Sequence, residues 1–241
     1  MQDAIVIIPT FNEIENIEAI IRAVFMQQKA FDILVVDDNS PDGTGLKVKT
    51  LQQEFANRLF LLERKHKTGL GTAYIDGFHW CLKKDYEYIF EMDADFSHDP
   101  KDLVKLYNAC HLEGADVSIG SRYVDGVNVV NWPMSRVLMS YGASKYVRFI
   151  TRMPICDTTA GFICYRRKVL EGIDLKTIKF VGYAFQIEMK FKAYLKRFNV
   201  VEVPVIFTDR KRGKSKLSGG IISEAIFGVL TMRFKSLIGK E

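Results

Sequence analysis

The feature that most constrains the fold is a regular alternation of two kinds of segment along the chain. Short runs rich in isoleucine and valine alternate with longer stretches in which apolar residues recur at helical spacing. This alternation is typical of βαβ units, in which helices join buried parallel strands. We predict strands over residues 4–8, 33–36, 59–62, 88–92, 116–120, 161–166 and 200–208, and helices over approximately 13–28, 43–56, 70–83, 100–113, 134–151, 183–197 and 219–237. The sequence therefore predicts an α/β fold with a Rossmann-like, mostly parallel sheet flanked by helices.

Length and composition indicate one globular unit of enzyme size. The chain has 241 residues, of which 48% are hydrophobic and 26% charged. These proportions exclude a disordered or low-complexity chain, and the length provides a core that needs no disulfide or structural metal. Because no internal repeat or linker interrupts the pattern, we expect a single domain over residues 1–241.

Positive charge is concentrated in two segments. The formal net charge is +5. Segment 132–154 carries Arg136, Lys145, Arg148 and Arg152 without an acid, and segment 208–216 is rich in lysine and arginine with Asp209 as its one acid. Since the rest of the chain is nearly neutral, we expect local anion sites and no nucleic-acid partner.

Cysteine usage and hydropathy bear on the compartment. Four cysteines lie far apart, without a Cys-x-x-Cys pair: Cys81, Cys110, Cys156 and Cys164. This spacing favours reduced thiols in a cytoplasmic setting and argues against a metal site built from sulfur. The first nine residues lack the basic region of a signal peptide and are interpreted as a strand. No apolar run is long enough to predict a membrane span.

Acidic residues follow the second predicted strand abruptly. After Val36 the chain continues with Asp37, Asp38 and Asn39, and then reaches Asp42. In open α/β sheets, ligands bind beyond the carboxyl ends of the strands. A turn followed by a helix cap would also explain several of these polar residues. We expect ligand binding here, with the turn as the alternative.

A second acidic motif, Asp93-Ala94-Asp95, follows the strand over 88–92. Two carboxylates pointing the same way at a sheet edge repel each other unless a cation lies between them. Their hard oxygen ligands suit Mg²⁺ or Mn²⁺, which complete their coordination with water and substrate phosphates. A helix-capping turn is the alternative explanation of an Asp-x-Asp pair.

Two glycine-rich segments do not match nucleotide-binding loops. The segment starting at Gly69 has Tyr74 where a dinucleotide fingerprint needs glycine, and the segment at Gly213 has Thr208 where a P-loop needs glycine. Hydride transfer and nucleoside triphosphate hydrolysis thus lose their main support. We predict instead that the small residues from Gly69 to Gly77 let a helix pack closely on the sheet.

Seven motifs, in order along the chain, carry a family resemblance: Pro9–Glu13, Val36–Thr44, Lys67–Tyr74, Met92–His98, Gly120–Tyr123, Gly182–Met189 and Arg212–Leu217. Together they resemble the dolichol-phosphate (polyprenyl-phosphate) mannose synthases of glycosyltransferase family 2, which have a GT-A fold. The resemblance is to the short form of these synthases, which lacks transmembrane helices. It implies an inverting glycosyltransferase that moves mannose from GDP-mannose to dolichyl or polyprenyl monophosphate.

The resemblance also implies roles for individual residues. The donor nucleotide would be bound by Pro9, Phe11, Glu13, Val36, Asp38, Asp93, Ala94 and Asp95. A divalent ion, Mg²⁺ or Mn²⁺, would be held by Asp93 and Asp95, with Ser97 nearby. The acceptor phosphate would meet Arg122, Arg136, Ser140, Arg210, Arg212 and Lys216. Catalysis would depend on Asp93, Asp95, Arg122 and Arg212.

On this interpretation the domain has a nucleotide-sugar-binding half over 1–120, an acceptor-binding half over 121–217 and a C-terminal amphipathic helix over 218–241. The last helix and the segment after Trp132 combine apolar and basic residues. The last helix is interpreted as an interfacial element or one that docks a small membrane partner, with burial against the sheet as the alternative. The stretch from Trp132 to Ile150 is predicted to form part of the lipid-phosphate groove. We therefore expect a cytoplasmic protein peripherally associated with a membrane surface, and a small membrane-protein subunit is a further candidate partner.

Three other functions stay open at this point. The donor could be a UDP-sugar carrying glucose or N-acetylglucosamine, because the residues fix neither base nor sugar. A hydroxyl acceptor would need a general base, and the Gln-x-x-Arg-Trp motif common in such enzymes is absent. The chain could also be a non-catalytic nucleotide-sugar-binding subunit of a membrane complex, although its Asp93-x-Asp95 motif argues against this.

Overall fold

The computed structural model describes residues 2–182, 184–209 and 219–238. Its elements are β1 (Ala4–Thr10), α1 (Ile17–Phe25), β2 (Asp32–Asp37), α2 (Thr44–Glu54), β3 (Leu59–Glu63), α3 (Leu70–Leu82), β4 (Tyr88–Glu91), α4 (Asp102–His111), β5 (Val117–Ser121), β6 (Val129–Val130), α5 (Met134–Thr151), β7 (Ile163–Arg166), α6 (Arg167–Gly172), α7 (Ala184–Leu195), β8 (Val200–Pro204), β9 (Phe207–Thr208) and α8 (Gly219–Leu237). A single 3-10 turn, Leu175–Thr177, precedes α7.

A seven-stranded sheet in the order β3-β2-β1-β4-β7-β5-β8 forms the centre. Its neighbouring strands are parallel except β7, which runs antiparallel to both β4 and β5. The apolar runs of β1 and β2 are buried because both faces of the sheet carry a packed hydrophobic core. β6 and β9 pair separately as a small parallel ribbon.

The predicted α/β architecture is confirmed, and the differences have local causes. The first helix begins at Ile17 and not near residue 13, because Asn12 adopts a left-handed φ of 59° and donates its backbone N–H to the hydroxyl of Ser40. The run over 200–208 divides into β8 and β9, which belong to different sheets. The sequence prediction missed α6 and the two-residue β6.

The proposed boundary at residue 120 stays a prediction. It falls within β5, and β7 from the second half lies between β4 and β5. The two halves therefore contribute strands to one continuous sheet.

Small residues let α3 pack closely on the sheet, as the sequence predicts, because a Cβ on Gly77 would lie 2.9 Å from the Ile7 side chain of β1. Glycines at the start of α3 also permit a close backbone approach to segment 180–182, which the sequence did not predict. The N–H of Gly71 donates to the carbonyl of Val181 at 2.8 Å, and a Cβ on Gly71 would lie 2.8 Å from both the Phe180 carbonyl oxygen and the Phe185 ring. Gly69, which precedes the helix, has a φ of +118°. The contact fixes segment 180–182 against the helix that follows the β3 edge.

We predict that Gly71→Ala destabilises the fold by about 1–3 kcal/mol, because backbone and ring atoms on both sides prevent the methyl group from being accommodated. Gly142→Ala is the matched control, since Gly142 is also helical and nothing lies within 4 Å of its Cβ position. Alanine there should stabilise by about 0.5–1 kcal/mol. Urea unfolding of both variants measures the difference, and equal effects would contradict the close approach.

Among the described residues, no helix combines the length and apolarity required to cross a bilayer. Helices α5 and α8 pack against each other. Both nevertheless expose large apolar side chains, including Met134, Leu138 and Phe149 on α5 and Phe227 and Phe234 on α8.

Candidate active site

The carboxyl ends of β1, β2, β4 and β5 meet at one edge of the sheet. Thr10 is the register partner of Asp37, and the N–H of Met92 after β4 donates to the carbonyl of Ile7 in β1. Because these strands run parallel, the polar segments that follow them are brought together. The sequence-predicted acidic motifs lie at this edge.

Two of the acids after β2 hold the loop itself. The Asp37 carboxylate accepts hydrogen bonds from the hydroxyls of Thr10 at 2.8 Å and Ser40 at 2.6 Å. Asp42 accepts from the N–H and hydroxyl of Thr44 and from the N–H of Ile14. Burial acts to raise the pKa of Asp42, but these bonds outweigh it and lower the pKa. Asp37 and Asp42 therefore form the turn that the sequence analysis kept as an alternative.

Asp38 does not close the turn. Its side chain is largely buried at the sheet edge and pairs with Arg64, a residue that the sequence did not single out. Its carboxylate accepts a hydrogen bond from Arg64 at 2.7 Å, and its backbone N–H donates to the carbonyl of Thr10. Burial raises the pKa of Asp38, and the nearby charges of Arg64 and Lys67 oppose that rise. Arg64 also binds Asp76, Thr68 and Thr72, so it ties the β2 edge to α3.

The other predicted donor residues surround this point. The Lys67 ammonium lies 4.4 Å from the centre of the Phe11 ring. Glu13 receives a side-chain bond from Asn16, and its backbone N–H donates to Thr44. Pro9 is half-buried, whereas Val36 and Ala94 are buried. The structure thus brings the predicted donor-binding residues to one edge.

The acidic loop after β4 is tightly turned. Phe96 has a φ of 60°, and the N–H and hydroxyl of Ser97 both donate to one oxygen of Asp95, at 3.1 and 2.6 Å. Asp95 is 7% exposed and Asp93 is half-buried. Ser97 therefore orients the Asp95 carboxylate, and Asp93 lies two residues earlier in the same loop.

His98, at the end of the same loop, is an uncharged imidazole. Its Nδ1 accepts the backbone N–H of Asp93 at 3.2 Å, and its ring stacks on Phe162. Burial lowers the pKa of His98 to about 4, although Asp95 acts in the opposite direction. An uncharged imidazole is what this acceptor role requires, so His98 supports the loop from beneath.

The donor atoms of this loop fit a divalent cation that is completed by a ligand. In the part of the chain that the structure describes, no group of three or more histidine, cysteine or acidic side chains could enclose a metal. Asp93 and Asp95 supply only hard oxygen atoms at an open sheet edge. Such a pair suits Mg²⁺ or Mn²⁺ held jointly with substrate phosphates.

Arg122, directly after β5, is held in a buried ion pair with Asp157. Its backbone N–H and Nε donate to one Asp157 oxygen at 3.0 and 2.6 Å, and a terminal nitrogen donates to the other at 2.6 Å. The same nitrogen reaches the hydroxyl of Thr159 at 2.9 Å. Burial alone would raise the pKa of Asp157, but Arg122 and then Lys190 lower it overall.

An aromatic cluster joins Arg122 to the acidic loop. The Arg122 guanidinium lies 5.4 Å from the ring centres of both Trp132 and Phe207. Phe207 in turn contacts the His98 ring edge to face at 5.3 Å. The guanidinium carbon of Arg136 lies 4.0 Å from the centre of the Trp132 ring, on which it stacks. The two arginines and the acidic loop therefore share one set of aromatic rings.

Of the remaining predicted acceptor residues, the structure describes two, Ser140 and Arg136. Ser140 is half-buried on α5, and Arg136 pairs with Asp209 at 2.7 Å. Arg210, Arg212 and Lys216 lie outside the described residues. Sequence reasoning missed the roles of Phe207 and Arg64, and the position of Arg64 just after a strand was the one available signal. It placed Trp132 in the predicted lipid-phosphate groove but did not predict its contacts with Arg122 and Arg136.

Comparison with known proteins decides the family. Residues 5–174 match the model of glycosyl transferase family 2. The chain belongs to glycosyltransferase family 2. It is 47% identical to a polyprenol monophosphomannose synthase of Mycolicibacterium smegmatis, over 95% of this chain and 86% of that protein. It is 44% identical to an undecaprenyl-phosphate mannosyltransferase of Micrococcus luteus, over 92% and 90% of the two chains. The resemblance to polyprenyl-phosphate mannose synthases is confirmed, and the chain is an enzyme of that group.

Solved structures show the same fold at low identity. A mannosyltransferase from Pyrobaculum calidifontis in complex with GDP-Man and Mn²⁺ has a TM-score of 0.61 at 16% identity and covers 98% of this chain and 74% of its own. Glucosyl-3-phosphoglycerate synthase from Mycobacterium tuberculosis, in complex with Mn²⁺, UDP-glucose and phosphoglyceric acid, has a TM-score of 0.68 at 16% identity and covers 95% and 79%. The predicted GT-A fold is therefore confirmed.

We predict that Asp157→Asn destabilises the enzyme by about 3–5 kcal/mol, because the Arg122 guanidinium would stay buried without the negative charge of the Asp157 carboxylate. The exposed pair Arg22–Glu54 provides the control, since Glu54→Gln should cost less than about 1 kcal/mol. The Asp157 pKa is lowered in the fold, so its contribution is present above the ordinary pKa of an aspartate and is lost as the pH falls below it. Urea unfolding at neutral and acidic pH tests this, and similar losses in both variants would contradict it.

Proposed function

We propose that the enzyme transfers mannose from GDP-mannose to the phosphate of a polyprenyl or dolichyl phosphate, with inversion at the sugar C1. The observation that carries this proposal is the single aromatic cluster that places two arginines beside the Asp93-to-His98 loop. A diphosphate on the acidic side and a monophosphate on the basic side would meet at one edge of the sheet. The names of the related enzymes supply the sugar and the class of lipid.

The donor is bound at the edges of β1, β2 and β4. The half-buried Pro9 and Phe11 present apolar surface to the nucleoside, the fully buried Val36 lies at the same strand end, and Asp38 and Glu13 are the polar neighbours of the nucleoside. Asp93 and Asp95 would hold Mg²⁺ or Mn²⁺ at the donor diphosphate. When bound, the ion supplies positive charge that stabilises the departing nucleoside diphosphate.

The acceptor phosphate is bound on the basic side. Guanidinium groups match phosphate oxygens in geometry and charge, which suits Arg122, Arg136 and the arginines at 210 and 212. A phosphate monoester has a second pKa of about 6, so it is already an anionic nucleophile near neutral pH. The reaction therefore needs no general base.

The chemistry is one in-line displacement. An oxygen of the acceptor phosphate forms a bond to C1 of mannose while the bond from C1 to the diphosphate oxygen breaks. The bonding electron pair leaves with GDP, and the configuration at C1 inverts. Arg122 and Arg136 hold the attacking phosphate in line, and the rigid acidic loop holds the leaving group.

The experiment that tests this function incubates purified protein with Mg²⁺ or Mn²⁺, a short polyprenyl phosphate in detergent and a panel of nucleotide sugars. GDP-mannose should give equal amounts of GDP and mannosylated lipid. If product formed only with UDP-glucose or UDP-N-acetylglucosamine, that nucleotide sugar would be the donor in place of GDP-mannose. Metal-dependent nucleotide binding without any product would identify a protein that needs a separate membrane subunit.

We predict that Asp95→Asn lowers metal-dependent turnover by about 100-fold or more, because the ion loses an anionic ligand at the site where charge develops. The control is Asp99→Asn in the same loop, since exposed Asp99 accepts a backbone N–H from Lys101 and asparagine can do the same. Initial rates and circular dichroism measure activity and folding. Near-normal rates in Asp95→Asn would overturn the metal assignment.

A membrane-facing role for α5 and α8 completes the proposal, since the acceptor is a lipid. Phe149 is 83% exposed and Phe234 is 64% exposed, an unusual state for large aromatic side chains. Helix α5 carries Lys145 and Arg148 without any acid, and α8 carries Arg233 and Lys235 beside its apolar residues. Apolar surface with basic flanks suits the interface of an anionic bilayer.

We predict that Phe149→Glu and Phe234→Glu each reduce binding to vesicles of phosphatidylcholine and phosphatidylglycerol by roughly tenfold, the scale of burying one aromatic side chain. Leu46→Glu on α2 is the control, because Leu46 is equally apolar and 71% exposed but lies on another helix. Vesicle flotation measures the bound fraction. Equal binding by all three variants would remove α5 and α8 from the membrane interface.

A further inference from the structure

The loop over residues 156–160, between α5 and β7, is fastened at both ends by charged side chains from other elements. At its start, Glu202 of β8 accepts the N–H of Cys156 at 2.6 Å and the N–H of Asp157 at 2.8 Å, one on each carboxylate oxygen. The two amides and the carboxylate thus form a bidentate contact. This contact fixes the backbone on which Asp157 stands.

At the other end, Lys190 of α7 reaches the loop from the interior. Its side chain is 0% exposed, and its ammonium donates to the carbonyls of Ala160 at 2.6 Å, Thr158 at 3.2 Å and Gln186 at 3.3 Å. An ammonium has three hydrogens, so these bonds use all of its donors. Burying a lysine is costly unless it is paired and hydrogen-bonded. The Lys190 ammonium therefore holds two carbonyls of the loop by hydrogen bonds, which an apolar side chain at this position could not form.

Between the two fastened ends lie the residues that hold Arg122. Asp157 accepts three hydrogen bonds from it, and Thr159 accepts one. The direction of the Arg122 guanidinium is therefore set by this loop, and the loop is set by Lys190 and Glu202. Neither of these two residues was assigned a role by the motifs.

We propose that Lys190 and Glu202 are positioning residues of the transfer reaction, which fix the 156–160 loop so that Asp157 and Thr159 direct Arg122 toward the acceptor phosphate. The inference rests on the proposed function, in which Arg122 binds that phosphate. Small displacements of a binding group weaken a reaction strongly because the reactants must be in line. Loss of either positioning residue should therefore affect the acceptor and leave the donor nucleotide unaffected.

The test compares Lys190→Met and Glu202→Gln with the control Lys192→Met. Lys192 lies on the same helix but is half-buried and binds Thr177, away from the loop. The KM for polyprenyl phosphate should rise at least about tenfold in the first two variants, with the affinity for GDP-mannose unchanged. The NMR signal of the Arg122 Nε–H, assigned with Arg122→Lys, should shift in both. The control should match the wild type in each measurement.

Combining Lys190→Met with Arg122→Lys provides a second test. If Lys190 acts through Arg122, the double variant should be no worse than Arg122→Lys alone. Additive losses, an unchanged Arg122 signal, or equal changes for donor and acceptor would each overturn the proposal. If Lys190→Met does not fold, Glu202→Gln decides by the same measurements. Absence of mannosylated lipid from the wild type would instead overturn the proposed function, and the Arg122 signal would still decide whether the loop positions that residue.

Discussion

The buried ion pair between Arg122 and Asp157 is the interaction on which the rest of the site depends. Both side chains are almost completely removed from solvent, where an unpaired charge would cost several kcal/mol. The pair joins the end of β5 to the loop before β7. In the sheet, β7 lies between β4 and β5, so the pair connects two neighbouring strands that are far apart in the chain. The same interaction thus stabilises the fold and sets the direction of the Arg122 guanidinium, which in the proposed function binds the acceptor phosphate.

The aromatic cluster explains how opposite charges are arranged without neutralising each other. Phe207 contacts Trp132 and the uncharged His98 that ends the acidic loop, and the Arg122 guanidinium lies against the rings of Phe207 and Trp132. Flat rings accept the faces of guanidinium groups, as in the 4.0 Å contact of Arg136 with Trp132. In the proposed function, the acidic side would bind the donor diphosphate with its divalent ion and the basic side would bind the acceptor monophosphate. This separation suits transfer between two phosphorylated substrates.

On the donor side, most of the acids have structural partners, and this limits which ones meet the nucleotide. Asp37 and Asp42 are occupied in closing the turn after β2. Asp38 is tied through Arg64 to α3, whose glycines permit close contact with segment 180–182. This edge of the sheet is therefore built from loops that brace one another, which would give the proposed donor site a fixed surface.

The sequence by itself determined the α/β class, the positions of the main strands, the helix over 219–237 and the two acidic motifs at the sheet edge. These are local properties, because hydrophobic periodicity and strand ends can be recognised without knowing which residues meet. Only the tertiary structure decided that Asp157 pairs with Arg122, that Lys190 and Glu202 secure their loop, and that Trp132 and Phe207 link the arginines to the acidic loop. Each of these contacts joins residues far apart in the chain, and a buried lysine or glutamate looks in sequence like any exposed one. Partners of this kind are selected by packing and burial, which exist only once the sheet has assembled.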